Sequence, residues 1–120
     1  MLNEKLVNLI DALSQHKDVS SVLVLEEIGT DSSNDEVREL TAKALVRKNI
    51  EESLRVVIVK PGKGINDLNS NVAMSTINEI LALKDKSIVN NVIEDTICHN
   101  SNEEIRDTAR SLKALISLSN

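Results

Sequence analysis

"VLVLEEIGTDSSNDEVRELTAKAL" (residues 22–45) and "NNVIEDTICHNSNEEIRDTARSLK" (residues 90–113) are two versions of one pattern. They align without a gap, and the hexapeptides "SNDEVR" (33–38) and "SNEEIR" (101–106) occupy the same place in each. Repetition at a period of a few tens of residues is typical of proteins built from stacked supersecondary units. The sequence therefore predicts that one structural unit recurs along the chain.

A third, more divergent copy lies between these two. We align "NSN" (69–71) with "SSN" (32–34) and "NSN" (100–102), which places the shared serines at 33, 70 and 101, at intervals of 37 and 31 residues. In this register Met74 takes the place of Val37 on the apolar face of its helix. The first interval is longer by roughly the length of "PGKGIN" (61–66), so the alignment predicts an insertion in the middle copy.

Apolar residues recur at helical spacing along most of the chain, which predicts an all-α fold of about seven helices with short connections. Both hexapeptides begin S-x-x-E, the pattern in which a serine and a glutamate satisfy the free amides at a helix start. We therefore expect serine caps at Ser33 and Ser101. Gly29 stands where a glycine commonly ends a helix, so the preceding helix is expected to stop there.

The segment "LRVVIVKPGKGIN" (54–66) raises the question of a phosphate-binding loop. Such a loop requires G-x-x-x-x-G-K-[ST], whereas Lys63 is followed by Gly64 and by no hydroxyl. The segment begins where the first copy has "VLVLEEI" (22–28), so we interpret it as a helix followed by a turn insertion. Because β-branched residues disfavour helices, a short strand at 56–59 remains an alternative.

The composition restricts the classes of function. The chain has 120 residues, a formal charge of −5, one cysteine and no Phe, Tyr or Trp. An acidic chain is a poor general binder of polyanions, and a chain without aromatic residues cannot bind single strands by base stacking. No apolar run is long enough to span a bilayer, and the N-terminus lacks the features of a signal peptide. We expect a soluble, cytoplasmic protein.

Few residues are spaced as in a metal or catalytic site. Cys98 and His99 adjoin, but only His16 could join them, and no C-x-x-C or H-x-x-x-H spacing occurs, so we expect a surface turn and no metal. The acidic pairs at 26–27 and 94–95 lie at equivalent repeat positions. We interpret them as a solvated helix face, or as an acidic strip for a basic partner, rather than as catalytic carboxylates. The sequence predicts neither a cofactor nor an enzymatic activity.

The segments "NDEVRELTAKAL" (34–45) and "NEEIRDTARSLKAL" (102–115) resemble the second helix of HEAT and armadillo repeats, although the middle copy "NVAMSTINEILAL" (71–83) lacks the arginine. The resemblance implies a right-handed α-α superhelix in one domain, residues 1–120. It would comprise a capping helix (1–15) and three antiparallel pairs (16–49, 50–85 with a turn insertion at 61–68, and 86–120). It also implies that Arg38 and Arg106 are structural residues that tie one repeat to the next.

In proteins of this family the second helices usually line the partner-binding face. The resemblance therefore implies a non-catalytic scaffold or adaptor that binds another protein, with homodimerisation also open. Six residues are expected to contact the partner: Glu39, Lys43, Arg47, Asn78, Arg110 and Lys113. The alternative is a binder of nucleic-acid backbone or of an acidic segment. It rests on a cationic strip, interrupted at the middle helix, which the first and third of the second helices would form through Lys43, Arg47, Lys48, Arg106, Arg110 and Lys113.

Overall fold

The computed structural model describes residues 3–30 and 32–119, and within these ranges the chain forms seven α-helices and no strand. The predicted all-α fold of about seven helices is confirmed. The radius of gyration of 13.5 Å equals the value of about 13.6 Å expected for a globular domain of this length. The helices are α1 (Glu4–Gln15), α2 (Val19–Thr30), α3 (Asp35–Lys48), α4 (Glu51–Ile58), α5 (Ser70–Ala82), α6 (Ser87–His99) and α7 (Glu103–Ser119).

The helices pack in two rows. In one row α4 contacts both α2 and α6, and in the other α5 contacts both α3 and α7. The rows are joined where α2 packs on α3 and α6 packs on α7, and α1 packs against α3. The helices α4 and α5 do not pack closely on each other, and a short 3₁₀-helix (Ile65–Asp67) in their connection contacts α4, α5 and α7 instead.

The segment that could have been a short strand is helical. Val56, Val57 and Ile58 belong to α4, and all three side chains are buried in the core. Burial of these side chains outweighs the modest helix penalty of β-branching, because tertiary packing supplies most of the stability of a helix in a protein. The connection that follows, residues 59–69, reverses through Gly62, which has a φ of +78°. This is a conformation that glycine adopts without strain.

The residues that cap α3 and α7 lie one position after the serines that the S-x-x-E pattern predicts as caps. Asn34 caps α3 through a bond from the amide of Glu36 to its Oδ1 (2.8 Å), and Asn102 Oδ1 accepts from the amide of Glu104 (2.9 Å). The serines before them, Ser33 and Ser101, are exposed. Asparagine and serine are both strong N-caps, so an S-N dipeptide leaves the choice to the backbone geometry.

The middle copy is shifted by two residues from the predicted register. Its helix, α5, is capped by Asn69, whose Oδ1 accepts from the amide of Val72 at 3.0 Å. The asparagine caps thus fall at 34, 69 and 102, at intervals of 35 and 33 residues. Val72, and not Met74, stands three residues after the cap and enters the core. Met74 is 56% exposed.

Gly29 does not end α2, which continues to Thr30. A Cβ at position 29 would lie 2.5–2.9 Å from side-chain atoms of Thr41. The glycine therefore permits a close approach of α2 to α3, and this approach is the reason a small residue stands there.

The two repeat arginines bind within their own repeats. Arg38 Nε donates to the carbonyl of Ser32 (2.8 Å), and an Nη of Arg106 donates to the carbonyl of Asn100 (2.6 Å). Each acceptor lies six residues before its arginine, in the turn ahead of the helix. Their structural role agrees with the expectation, but these bonds hold a turn in place and do not tie one repeat to the next.

Candidate functional site

Three of the six predicted contact residues lie along the boundary between α3 and α5. Glu39 Oε1 accepts a hydrogen bond from Ser75 Oγ at 2.8 Å, and Arg47 Nε donates to Glu79 Oε1 at 2.6 Å. Lys43 lies between Glu39 and Arg47 on α3, and its Nζ is 3.5 Å from Glu39 Oε1. Side chains of both charges therefore lie along this boundary, and two of them make polar contacts across it to α5.

Asn78 extends this surface on α5. It is exposed, and it stands one helical turn after Met74, so the two side chains are neighbours on the helix surface. We name the surface formed by Glu39, Lys43, Arg47, Met74 and Asn78 the α3–α5 face. It combines one exposed apolar side chain with charged groups of both signs.

The remaining two predicted residues are not tied to this face. Lys113 Nζ lies 2.6 Å from Glu94 Oε1 on α6, and Arg110 donates to Asp107 Oδ1 on its own helix at 2.7 Å. Lys113 is thereby directed to α6.

Most of the predicted cationic strip is paired with carboxylates. Of its six cations, Lys48 is buried and Arg106 donates to the carbonyl of Asn100. The other four each have a carboxylate within 4.0 Å: Lys43 with Glu39, Arg47 with Glu79, Arg110 with Asp107 and Lys113 with Glu94. These pairs are exposed or half-buried and individually contribute little to stability. Their effect on binding is larger, because an anionic partner would have to compete with a carboxylate at each of these four cations.

A second site lies where α2, α3 and α4 meet the 59–69 connection. It is a half-open cavity of about 150 Å³, which we name the Glu26 cavity. Its polar lining is Glu26, Arg38, Thr41, Lys63 and Asp67, and the rest of the wall is Gly29, Ala42, Leu45, Val56, Val57, Gly62 and Leu68. Sequence reasoning missed this site, because it interpreted the insertion only as an irregular turn.

Glu26 is the buried centre of the polar wall. Its residue exposure is 7%, and its Oε2 accepts hydrogen bonds from Lys60 Nζ (2.5 Å) and Lys63 Nζ (2.9 Å). Burial raises the pKa of Glu26, but the hydrogen bonds and charges of the two lysines outweigh it and hold the pKa below its ordinary value. The carboxylate is therefore ionised at neutral pH and fastens the connection to α2.

This finding corrects the interpretation of the paired acids as one solvated face. Glu26 is buried and bonded to two lysines, while the equivalent Glu94 is exposed and pairs with Lys113. The sequence did hold a signal, because position 26 is one turn after the buried Val22 and lies beside Leu25 on the inward side of α2.

The cysteine and the two histidines considered as metal ligands lie exposed at the ends of helices. Cys98 and His99 are exposed, and they form the last two residues of α6 rather than a turn. His16 is exposed at the end of α1. In the part of the chain that the structure describes, no three His, Cys, Asp or Glu side chains are grouped as metal ligands.

No helix among residues 3–30 and 32–119 is both long enough and apolar enough to cross a membrane. Comparison of the chain with protein-family models, with curated proteins and with solved structures found no match.

Proposed function

We propose that this protein is a non-catalytic binding module that recognises another protein through the α3–α5 face. The observation that carries the proposal is Met74, a large apolar side chain that is 56% exposed beside charged groups of both signs. Methionine and arginine are enriched at protein interfaces, where a small apolar centre is surrounded by a polar rim. A two-residue shift in the repeat register is what brings this side chain to the surface.

The architecture we infer is that of three HEAT-like repeats, α2–α3, α4–α5 and α6–α7, behind a capping helix α1. The middle repeat is opened by the 59–69 connection, so that α4 packs on α3 and not closely on α5. The nearly equal intervals of 35 and 33 residues between the asparagine caps support this inference. So does the packing of α2, α4 and α6 in one row and of α3, α5 and α7 in the other. In a right-handed superhelix of this kind, successive second helices form a continuous surface suited to a partner.

The charges of the α3–α5 face restrict the charge pattern that a partner can have. Glu39 and Lys43 form one pair of opposite charges along α3, and Arg47 and Glu79 form another across the two helices. A segment with a single sign of charge would be repelled at half of these positions. The partner we propose is therefore a helical protein segment that places an apolar side chain against Met74 and carries charges of both signs on either side.

The test is capture of partners from native-source lysate by the wild-type chain and by the variant M74D/R47E, with and without nuclease, followed by affinity measurement with the purified partner. We expect one protein to survive nuclease treatment and to bind the variant at least about tenfold more weakly, as for loss of an interface hot spot. The matched control is L118D, which places the same acidic change on a side chain that is 83% exposed on α7.

Two outcomes would overturn the proposal. One is a partner whose affinity is unchanged by M74D/R47E. The other is a partner that is lost with nuclease, which would favour the nucleic-acid alternative.

A further inference from the structure

The Glu26 cavity brings charged side chains of both signs together in an acidic protein. Three cationic side chains, Arg38, Lys60 and Lys63, meet three carboxylates, Glu26, Asp35 and Asp67, in and around the cavity, so the formal charges there balance. The whole chain has a formal charge of −5, so the cavity is less negative than the molecule as a whole. Polar interactions with a ligand are strengthened in a partly desolvated cavity, because screening by water is reduced inside it.

The carboxylates of the cavity are already engaged within the protein. Glu26 accepts from Lys60 and Lys63, and Asp67 Oδ2 accepts from the amide of Gly62 at 2.8 Å. The lysine ammonium groups each have three protons, and the bond to Glu26 uses one from each. After these bonds are formed, the cavity still has more hydrogen-bond donors than free acceptors.

Arg38 adds directed donors at the cavity wall. Its Nε is bonded to the carbonyl of Ser32, but the nearest described carboxylate, Asp35, lies 3.7 Å from its Nη, beyond hydrogen-bond distance. The guanidinium is held in place by the Nε bond while its outer N–H groups stay available to a ligand. A planar fork of this type matches the two oxygens of a carboxylate.

Much of the remaining cavity wall is apolar. Ala42 and Leu45 of α3, Val56 and Val57 of α4, and Leu68 form it, and all except Leu68 are buried. The volume of about 150 Å³ is close to that of an engineered apolar cavity known to hold a benzene molecule. The wall therefore suits a compact apolar group of about six carbon atoms.

We propose that the Glu26 cavity binds a small organic monoanion, namely a carboxylate with a compact apolar body. The carboxylate lies against Arg38 and Lys63, and the apolar body lies against Leu45, Val56 and Val57. The unused N–H groups of Arg38 and Lys63 accommodate one ligand carboxylate, whereas a dianion would meet the carboxylates of Glu26 and Asp67. This small-molecule site is independent of protein binding at the α3–α5 face.

The probes for this site are benzoate and isovalerate, each with its neutral amide, benzamide or isovaleramide. Titration at constant ionic strength is followed by amide chemical shifts in ¹H–¹⁵N spectra. We expect shifts centred on Thr41, Gly62 and Lys63, with a dissociation constant on the order of 1 mM for the better acid. The corresponding amide should bind at least about tenfold more weakly, because it lacks the charge that Arg38 and Lys63 recognise.

Variants locate the binding in the cavity. R38Q should weaken binding of the acid at least about tenfold, since it removes a charge-assisted donor while keeping a polar side chain. R106Q is the matched control, because it makes the same substitution at the equivalent arginine of the last repeat, which donates to the carbonyl of Asn100 outside the cavity, and it should bind as the wild type does. The fold of each variant is checked by its own ¹H–¹⁵N spectrum.

Three results would overturn the proposal. The first is the absence of localised shifts with either acid at about 20 mM, well above the expected dissociation constant. The second is equal affinity for the acids and their amides. The third is an R38Q variant that remains folded and binds as tightly as R106Q.

Discussion

Lys63 Nζ lies 2.9 Å from Oε2 of Glu26, although the two residues are 37 positions apart in the chain. Lys60 binds the same oxygen at 2.5 Å. The two lysines flank Pro61 and Gly62 in the connection between α4 and α5, so a single buried carboxylate fastens both arms of this turn to α2. The connection is therefore part of the folded structure and forms one wall of a cavity.

Replacement of Glu26 by glutamine should lower the free energy of unfolding at neutral pH by about 1–2 kcal/mol. Breaking a fully buried ion pair costs about 3–5 kcal/mol, and the lysines here are 44% and 27% exposed, so solvent screening reduces the effect. Urea unfolding measures the change. Glu27, which is exposed on the same helix, supplies the control E27Q, for which no more than a few tenths of a kcal/mol is expected.

The same substitution should change the response to acid. The pKa of Glu26 is lower in the folded state than in the unfolded chain, so its contribution to stability is complete above the ordinary glutamate pKa. That contribution is lost as the pH falls below about 4 and through the folded pKa. The gap between wild type and E26Q should therefore narrow in acid, as measured by urea unfolding at neutral pH and at about pH 3. A gap that stayed constant or widened would contradict the role of the carboxylate.

The number of helices could be predicted from the sequence because helical periodicity depends only on the spacing of apolar residues along the chain. Helix starts could be placed only to within one or two residues. Ser33 and Asn34 are both good caps, and only the positions of the first amides decide between them. The same uncertainty about the cap shifted the predicted alignment of the middle copy by two residues. Met74 was therefore expected on the apolar face, which Val72 occupies in the structure.

The Glu26 cavity could not be predicted in the same way. Its polar wall joins residues that are 34 and 37 positions apart, and their contact arises from the packing of α2 on α4. A glutamate on a helix is most often solvated. The local signal that sets Glu26 apart from Glu94 is weak, because it consists of an apolar residue, Val22, one turn earlier where Glu94 has Asn90. The α3–α5 face was partly predictable, since Glu39, Lys43 and Arg47 lie on one side of α3 by helical spacing alone.

The assignment of the α7 cap can be tested by two neighbouring substitutions. N102A should lower the free energy of unfolding by about 1 kcal/mol, because the amides of Glu104 and Ile105 lose their acceptor. S101A should change it by less than about 0.5 kcal/mol, as is usual for an exposed side chain that holds no such bond. Thermal or urea unfolding of both variants measures the difference. A larger loss in S101A than in N102A would restore the serine cap predicted from S-x-x-E.

Lys48 is a buried cation that holds α1 against the end of α3. The residue is 0% exposed, and its Nζ donates to the carbonyls of Leu13 (2.7 Å) and His16 at the C-terminal end of α1. These carbonyls carry the partial negative charge of a helix terminus, which suits an ammonium group. Lys17 in turn donates to the carbonyl of Lys48.

Replacement of Lys48 by methionine keeps most of the apolar stem and removes the ammonium group. We expect the free energy of unfolding to fall by about 2 kcal/mol at neutral pH. Hydrogen bonds to a charged group contribute about 1.5–3 kcal/mol, and part of this loss is offset because methionine has no ammonium group to remove from water on folding. K43M is the matched control on the same helix, where the lysine is only half-buried, and it should lose no more than about 0.5 kcal/mol.

The pH dependence distinguishes loss of this bonded ammonium from loss of packing. Burial lowers the pKa of Lys48, and the positive charge of Lys17 adds to this effect while Asp18 opposes it. Between the folded pKa and the ordinary lysine value near 10, the unfolded chain therefore binds more protons than the folded protein, and the stability contributed by this group rises with pH. K48M lacks this rise, so its deficit relative to wild type should be larger at about pH 9.5 than at neutral pH, as measured by urea unfolding. If the deficit were the same at both values, or if K43M showed the same increase, Lys48 would not be the group that titrates.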